Sequence, residues 1–328
     1  MSSRPAHQSV VAERHAARKP AATQPFPDIR VGRGRWSPRR YSGWAYLFIS
    51  PFYVLYAAFL LGPMVFAVWL SFHQWAGAGP MQWVGPANYT RLWRDQQFHT
   101  VVANTFWYVA AAVLVVVPLA LLIASALNMR GIRGRDFFRL AFFLPVVLSP
   151  VMIAIVFTII LDKNYGLLNA ALRGVFGMPP INFLGEPVWA KVSIILLVMW
   201  RWTGYLVIYF LAGLRNIPAE LYEAAELDGA RTLNRFRHIT IPMLRPVTAF
   251  VVITVIIAIA QIFDEPYILT QGGPANASES LAQFIYNQAF SQQQFGYAAA
   301  AGVVLFVVVF VISQVLARAF GVGREVGQ

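Results

Sequence analysis

An arginine between two tryptophans inside an apolar run, Trp200-Arg201-Trp202, with Tyr205 one turn on, is the first place in this chain where side chains can do chemistry. Further along, Gln261, Asp264, Glu265 and Tyr267 gather toward the end of a second apolar run. Aromatic faces pack against the apolar faces of a sugar ring, while amide, carboxylate and guanidinium groups bond its hydroxyls. Arg201, Trp202, Tyr205, Gln261, Asp264 and Tyr267 are therefore candidates to line a solute pathway. The competing reading is structural: Arg201 pairs with Asp264 or Glu265 to hold two segments together, and the tryptophans are interfacial anchors. A phosphate-bearing solute would also suit Arg201. Catalysis is a poor fit, because adjacent helical residues point about 100° apart and Asp264-Glu265 has no evident partner base. The chain has no cysteine and five scattered histidines, so no metal site is expected. It also lacks any Gly-x-x-x-x-Gly-Lys-Ser/Thr run to cradle nucleotide phosphates, so no cofactor and no enzymatic activity are expected on this chain.

The elements that must position these residues are membrane spans. Of the 328 residues 58% are apolar and only 12% charged, against roughly 25% charged in soluble domains. Crossing a hydrocarbon core of about 30 Å takes about 20 apolar residues as helix, since lipid leaves every backbone polar group to be paired within the segment. Six windows qualify: Trp44–Leu70, Val101–Asn128, Phe138–Leu161, Val188–Leu214, Val247–Leu269 and Tyr297–Phe320. Arg139 stands at the entry of the third, and Pro145 and Pro150 predict kinks within it. Asn104 and Thr105 in the second suit hydrogen bonding between helices.

The net charge of +12 brings nucleic acid to mind, yet long apolar runs separate the basic residues, and no nucleic-acid partner is expected. Their placement instead orients the chain, because Lys and Arg near spans are retained on the cytoplasmic side. With the amino terminus inside, the cytoplasmic segments hold twenty of the 26 Lys and Arg: nine before Trp44, four in Arg130–Arg139, five in Arg215–Arg245, and Arg318 and Arg324. The expected fold is an all-α integral membrane protein of about six transmembrane helices, multi-pass in the inner membrane with both termini cytoplasmic. Residues 1–43 read as a disordered basic tail, 44–96 as the first span and an external link, 97–320 as the core of spans two to six and 321–328 as a short cytoplasmic tail.

The link between spans four and five carries the most informative spacing. From Ile217 to Pro242 local physics predicts helix, turn, helix: Pro218 at the first helical position, Glu220 and Glu223 complementing a positive helix terminus, and Gly229 as the left-handed residue ending the helix. Ala224 and Ala225 leave a low-relief surface between Leu221 and Leu227.

This segment resembles the EAA signature of ABC-importer permeases: Glu223, Ala224, Ala225, Gly229, Ile239 and Pro242 fall at the matching places, with Ile241 where that family has Leu. The stretches Trp83–Tyr89 with Asn104-Thr105, and Leu269–Pro274 with Gly296-Tyr297-Ala298, are similar to the carbohydrate-type branch, the maltose- and glycerol-phosphate-like permeases. Gln271 stands where Gly is frequent in relatives. The resemblance implies a coupling helix over Glu223–Gly229, Asp228 included, that docks into a cytoplasmic ATPase. It further implies a permease subunit working by alternating access with an ATPase dimer that carries ATP and Mg, a second permease subunit and an extracytoplasmic solute-binding protein. A sugar or sugar-like solute is the expected cargo. An ion-coupled secondary transporter or a membrane enzyme or scaffold would share the hydropathy, but the first commonly shows related halves and either leaves the link's spacing as coincidence.

Overall fold

A computed structural model describes residues 42–129 and 134–321. The two expected tails, together with Arg130, Arg133 and Arg324, lie outside the described residues except for Ser42, Gly43 and Gly321. The chain divides into two units, one up to Tyr56 and the other from Ala57 onward. The described part of the first is the helix Ser42–Tyr56.

Four helices are single apolar stretches long enough to cross a membrane: Tyr46–Leu70, Gln96–Asn128, Pro187–Arg215 and Phe295–Ala319. They match the expected spans one, two, four and six to within a few residues. Two bent pairs, Phe137–Val147 with Pro150–Ile160 and Thr232–Met243 with Arg245–Ala260, bring the count to six when each is taken as one span. The protein is an all-α membrane protein.

The third span corrects an expectation. Its halves meet at 102°, far beyond a kink. Pro145 stays inside a helix, and the break falls at Leu148 and Ser149, both extended. A residue before proline is pushed out of the helical region, and Ser149 precedes Pro150. The fifth span also departs from Val247–Leu269. Its helix ends at Ala260, Gln261–Phe263 are not helical, and a short helix Asp264–Leu269 follows. The Ser280 hydroxyl donates to the Ile262 carbonyl at 2.6 Å, so the break keeps a backbone acceptor paired. Asp264 and Glu265 open the new helix, where acidic side chains complement the positive terminus.

Prolines shape the remaining helices in a repeated way. Wide π turns at Ala57–Leu61, Ala112–Val116 and Phe236–Thr240 each lie just ahead of a proline, Pro63, Pro118 and Pro242. A proline ring crowds the carbonyl four residues back, here Phe59, Leu114 and His238, all inside those turns. Widening the turn accommodates the ring without ending the helix.

Span four is central: half of its most apolar window is buried, against 17% for span six. Ile194, Leu197, Leu206 and Phe210 pack there with Val116, Ala120 and Ala124 of span two and Val255 and Ile259 of span five. At Gly204 a Cβ would lie 1.7 Å from the Phe142 carbonyl oxygen, so spans three and four touch backbone to backbone. Gly204→Ala is expected to force them apart at a cost of about 1–3 kcal/mol, read as a lower unfolding temperature of the purified protein.

The two stretches that carry the carbohydrate-type resemblance prove to be one packed unit. Asn104 Nδ2 donates to the carbonyls of Asn276 (3.2 Å) and Glu279 (3.0 Å), Thr105 accepts from the Leu281 N–H, and the Tyr108 hydroxyl donates to the Ser278 carbonyl. Asn104 and Thr105 are thus structural, as expected, though they hold a loop and the start of its short helix. The Glu279 carboxylate is buried there between the amides of Gln97 and Asn287, and its burial pushes its pKa up. Gln271 has φ +52°, a conformation in which glycine is unstrained, which is the physical reason glycine suits that turn.

Candidate coupling surface and translocation site

The segment linking spans four and five is helix, turn, helix as its sequence predicts, with one shift. Pro218 is the extended residue before the helix, and the helix proper is Ala219–Leu227. Gly229 has φ +75°, its N–H bonds the Glu226 carbonyl and the next N–H, of Ala230, bonds the Ala225 carbonyl. This is a Schellman termination, which needs a left-handed residue at that position.

No residue of Ala219–Leu227 is buried. Leu227 is 91% exposed, and Leu221 and Leu233 are exposed beside it. Glu223, Ala224, Asp228 and Gly229 are exposed and Ala225 is half-buried. The segment is nevertheless fastened: the Tyr222 hydroxyl meets Thr240 Oγ1 at 3.0 Å and Arg235 pairs with Glu226 at 2.9 Å. Ile239 packs inward against the main core and Pro242 follows the π turn. The signature thus divides into a largely exposed face, Glu223 to Gly229, an inward-packed Ile239, and an exposed Pro242 that follows the π turn.

The membrane-depth residues divide as well. Arg201 is the midpoint of the 29-residue span four. Its guanidinium pairs with Glu265 at 2.5 Å, with Glu265 3% exposed and Arg201 24%. Of the two carboxylates that suit the structural reading, the deeper one is taken. Asp264, its neighbour, is half-buried. Arg201 also lies 5.8 Å from the Trp202 ring, which meets Tyr205 edge-on at 5.6 Å; Tyr205 and Tyr209 share a hydroxyl hydrogen bond of 2.8 Å, and Tyr209 leans on Phe250 of span five. Arg201, Trp202 and Tyr205 are therefore brought together in one half-buried line.

Gln261 and Tyr267 join a different neighbourhood. Gln261 is not inside a span but exposed at the end of its helix. Tyr267 stacks on Phe263 at 4.9 Å and meets Tyr286 edge-on. Tyr209, Phe250, Phe263 and Tyr286 were missed from sequence; Tyr209 alone was legible, four residues from Tyr205 and seven from Trp202 on one helical face. The Arg201–Glu265 pair ties the two neighbourhoods together.

Non-helical backbone at membrane depth is tolerated where protein buries it or a water-filled cavity lines it. The Gln261–Phe263 break ends two residues before the partner of a mid-span arginine, with Ile262 buried and its carbonyl held by the Ser280 hydroxyl. A multi-pass helical protein with a broken span, a mid-membrane ion pair and an exposed, capped helix between spans four and five is built as the membrane subunit of a transporter. Residues 116–322 match the family model described as binding-protein-dependent transport system inner membrane component. The chain belongs to that family, whose members are transporter permease subunits and not enzymes.

Its relatives include the arabinooligosaccharides transport system permease protein AraP of Bacillus subtilis, 35% identical over 92% of this chain and 97% of the relative. The lactose transport system permease protein LacF of Rhizobium radiobacter is 40% identical over 85% of this chain and 95% of its own length. Among solved structures, a bacterial ABC transporter involved in the import of the acidic polysaccharide alginate has a chain with the same fold, at a TM-score of 0.76 and 24% identity, covering 90% of this chain and 99% of that one.

Proposed function

We propose that this chain is a permease subunit of an ABC importer that carries a neutral sugar or oligosaccharide across the inner membrane, with both of its termini in the cytoplasm. The family membership and the names of AraP and LacF support the class of cargo. The observation that carries the site is the non-helical segment Gln261–Phe263 that follows span five, joined through Arg201–Glu265 to the aromatic line of Trp202, Tyr205 and Tyr209. Rings flank, Gln261 is exposed, and the mid-span cation Arg201 is already neutralised by Glu265. That last feature favours a neutral solute over a phosphorylated one, for which an unmet positive charge would be needed.

Solute would arrive on an extracytoplasmic binding protein and pass between this subunit and a second permease. A cytoplasmic ATPase dimer, holding ATP and Mg, would grip the exposed Glu223–Gly229 face and swing the spans between outward and inward openings. The excess of Lys and Arg in the Arg215–Arg245 link supports the cytoplasmic placement of that face.

Uptake of radiolabelled oligosaccharide by the reconstituted transporter tests the site. Trp202→Ala and Gln261→Ala are each expected to weaken the apparent affinity about ten-fold, in line with the loss of about 1.4 kcal/mol of contact energy, while assembly is retained. Variants that assemble and transport with unchanged affinity would remove both residues from the pathway.

A further inference from the structure

Spans three and four enclose a cleft that the transport reading does not use. The helices touch at Phe142 and Gly204 and part toward the ends that carry Arg139 and Arg215, leaving a cavity of about 450 Å³ between them. Leu140, Phe143, Ile208 and Ala212 are exposed along its walls. Among the described lining residues only two are charged, both arginines, and none carries a carboxylate.

Three features bear on what fills it. From Gly204 to Arg215 the helix climbs roughly 16 Å at 1.5 Å per residue, about half of a hydrocarbon core of roughly 30 Å. The cleft therefore runs from mid-membrane to the headgroup level of one leaflet, the leaflet of the Ile217–Pro242 link. Next, Gly204, Val207, Ile208, Leu211, Ala212 and Arg215 occupy one face of span four, and Trp202, Tyr205 and Tyr209 lie roughly 120° round the helix from it. The cleft is separate from the aromatic line. Finally, each guanidinium has five N–H donors, so it can bond a phosphate oxygen while keeping another partner.

The geometry points to a binding site for one anionic phospholipid, its phosphate between Arg139 and Arg215 and an acyl chain along Leu140, Phe143, Ile208 and Ala212. Basic clefts between spans at the cytoplasmic headgroup level suit such lipids by charge, and the apolar walls suit the chain. Neither feature depends on which solute is transported.

Native mass spectrometry of the full-length chain released from nanodiscs tests this, with phosphatidylglycerol and phosphatidylcholine as competing probes. Wild type is expected to retain one phosphatidylglycerol in preference to phosphatidylcholine. The double variant Arg139→Gln/Arg215→Gln is expected to lose that preference by about ten-fold or more, because both basic side chains that attract the anionic headgroup are removed. Ala212→Trp, which keeps both charges and fills the groove, is expected to reduce retention of either lipid. Thermal unfolding identifies any variant that has lost its fold, and the other variant then carries the comparison. Equal retention by wild type and both folded variants, no preference in wild type, or displacement of the lipid by millimolar inorganic phosphate each overturns the proposal. So does protection of an Ala212→Cys probe from labelling by the second permease chain in lipid-depleted complex.

Discussion

Glu265→Ala is expected to destabilise the protein by about 3–5 kcal/mol, because it strands the Arg201 guanidinium at the midpoint of span four without its counter-ion. The cost comes from the charge left behind more than from the pair lost. Water would hydrate a stranded cation on a surface; at the middle of a span there is protein and hydrocarbon, where an unpaired charge is expensive. The double variant Arg201→Met/Glu265→Leu is therefore expected to recover most of the stability, since a buried pair replaced by apolar side chains of similar size is often neutral. Thermal unfolding in detergent, followed by size-exclusion profile, compares the three proteins. A single variant as stable as wild type would mean that the arginine is solvated by a water-filled pathway, and the solute-binding role for Arg201 would then replace the structural one.

The second large effect concerns the exposed link. Glu223→Lys and Gly229→Asp are each expected to reduce capture of the partner ATPase by about 30-fold, the scale of a 2 kcal/mol interface residue, with little change in the unfolding temperature for Glu223→Lys and a loss of about 1 kcal/mol for Gly229→Asp, whose backbone is left-handed. Neither position carries packing: both are exposed, and a Cβ at Gly229 meets nothing within 4 Å. Asp is also among the residues that tolerate a left-handed backbone, so Gly229→Asp adds a charge with less strain than a branched side chain. Affinity capture of the ATPase by the purified permease, read beside solute-stimulated ATP hydrolysis, separates the outcomes. Loss of capture with an unchanged fold supports the coupling role. Wild-type capture by both variants would place the ATPase contact elsewhere, even though the exposed Leu221, Leu227 and Leu233 would still call for a covering partner.

Much of this architecture was legible along the chain because lipid imposes a one-dimensional rule. Every peptide group in a span must be paired within its own helix, so apolar length alone placed Val188–Leu214 within one residue at each end of the observed Pro187–Arg215. Local chemistry was readable for the same reason: the turn at Gly229 depends on that residue and its immediate neighbours, and the helix before it ends where glycine permits. Where several residues far apart had to agree, sequence fell short. Pro150 announced a disturbance, but whether the helix bends slightly or turns by 102° depends on what receives its second half, and here that is the short Asp264–Leu269 helix packed against it. Gln261 read as an interior residue of span five because Ile262 and Phe263 continue the apolar run, whereas the fold ends the helix there with the Ser280 hydroxyl, eighteen residues on, holding the freed carbonyl.

The sequence by itself determined that this is a helical membrane protein, where its long helices run, which side its charges favour and that the link between spans four and five forms helix, turn and helix. Those properties rest on hydropathy, charge and local backbone preference, and each is decided within a helix or a turn. Only the tertiary structure decided that Arg201 meets Glu265 and not Asp264, that Asn104 and Tyr108 hold the Ser278–Leu281 loop, and that spans three and four part to leave a basic cleft. Those outcomes depend on which helices lie side by side and at what angle, and periodicity along one helix does not encode the direction in which its neighbour turns.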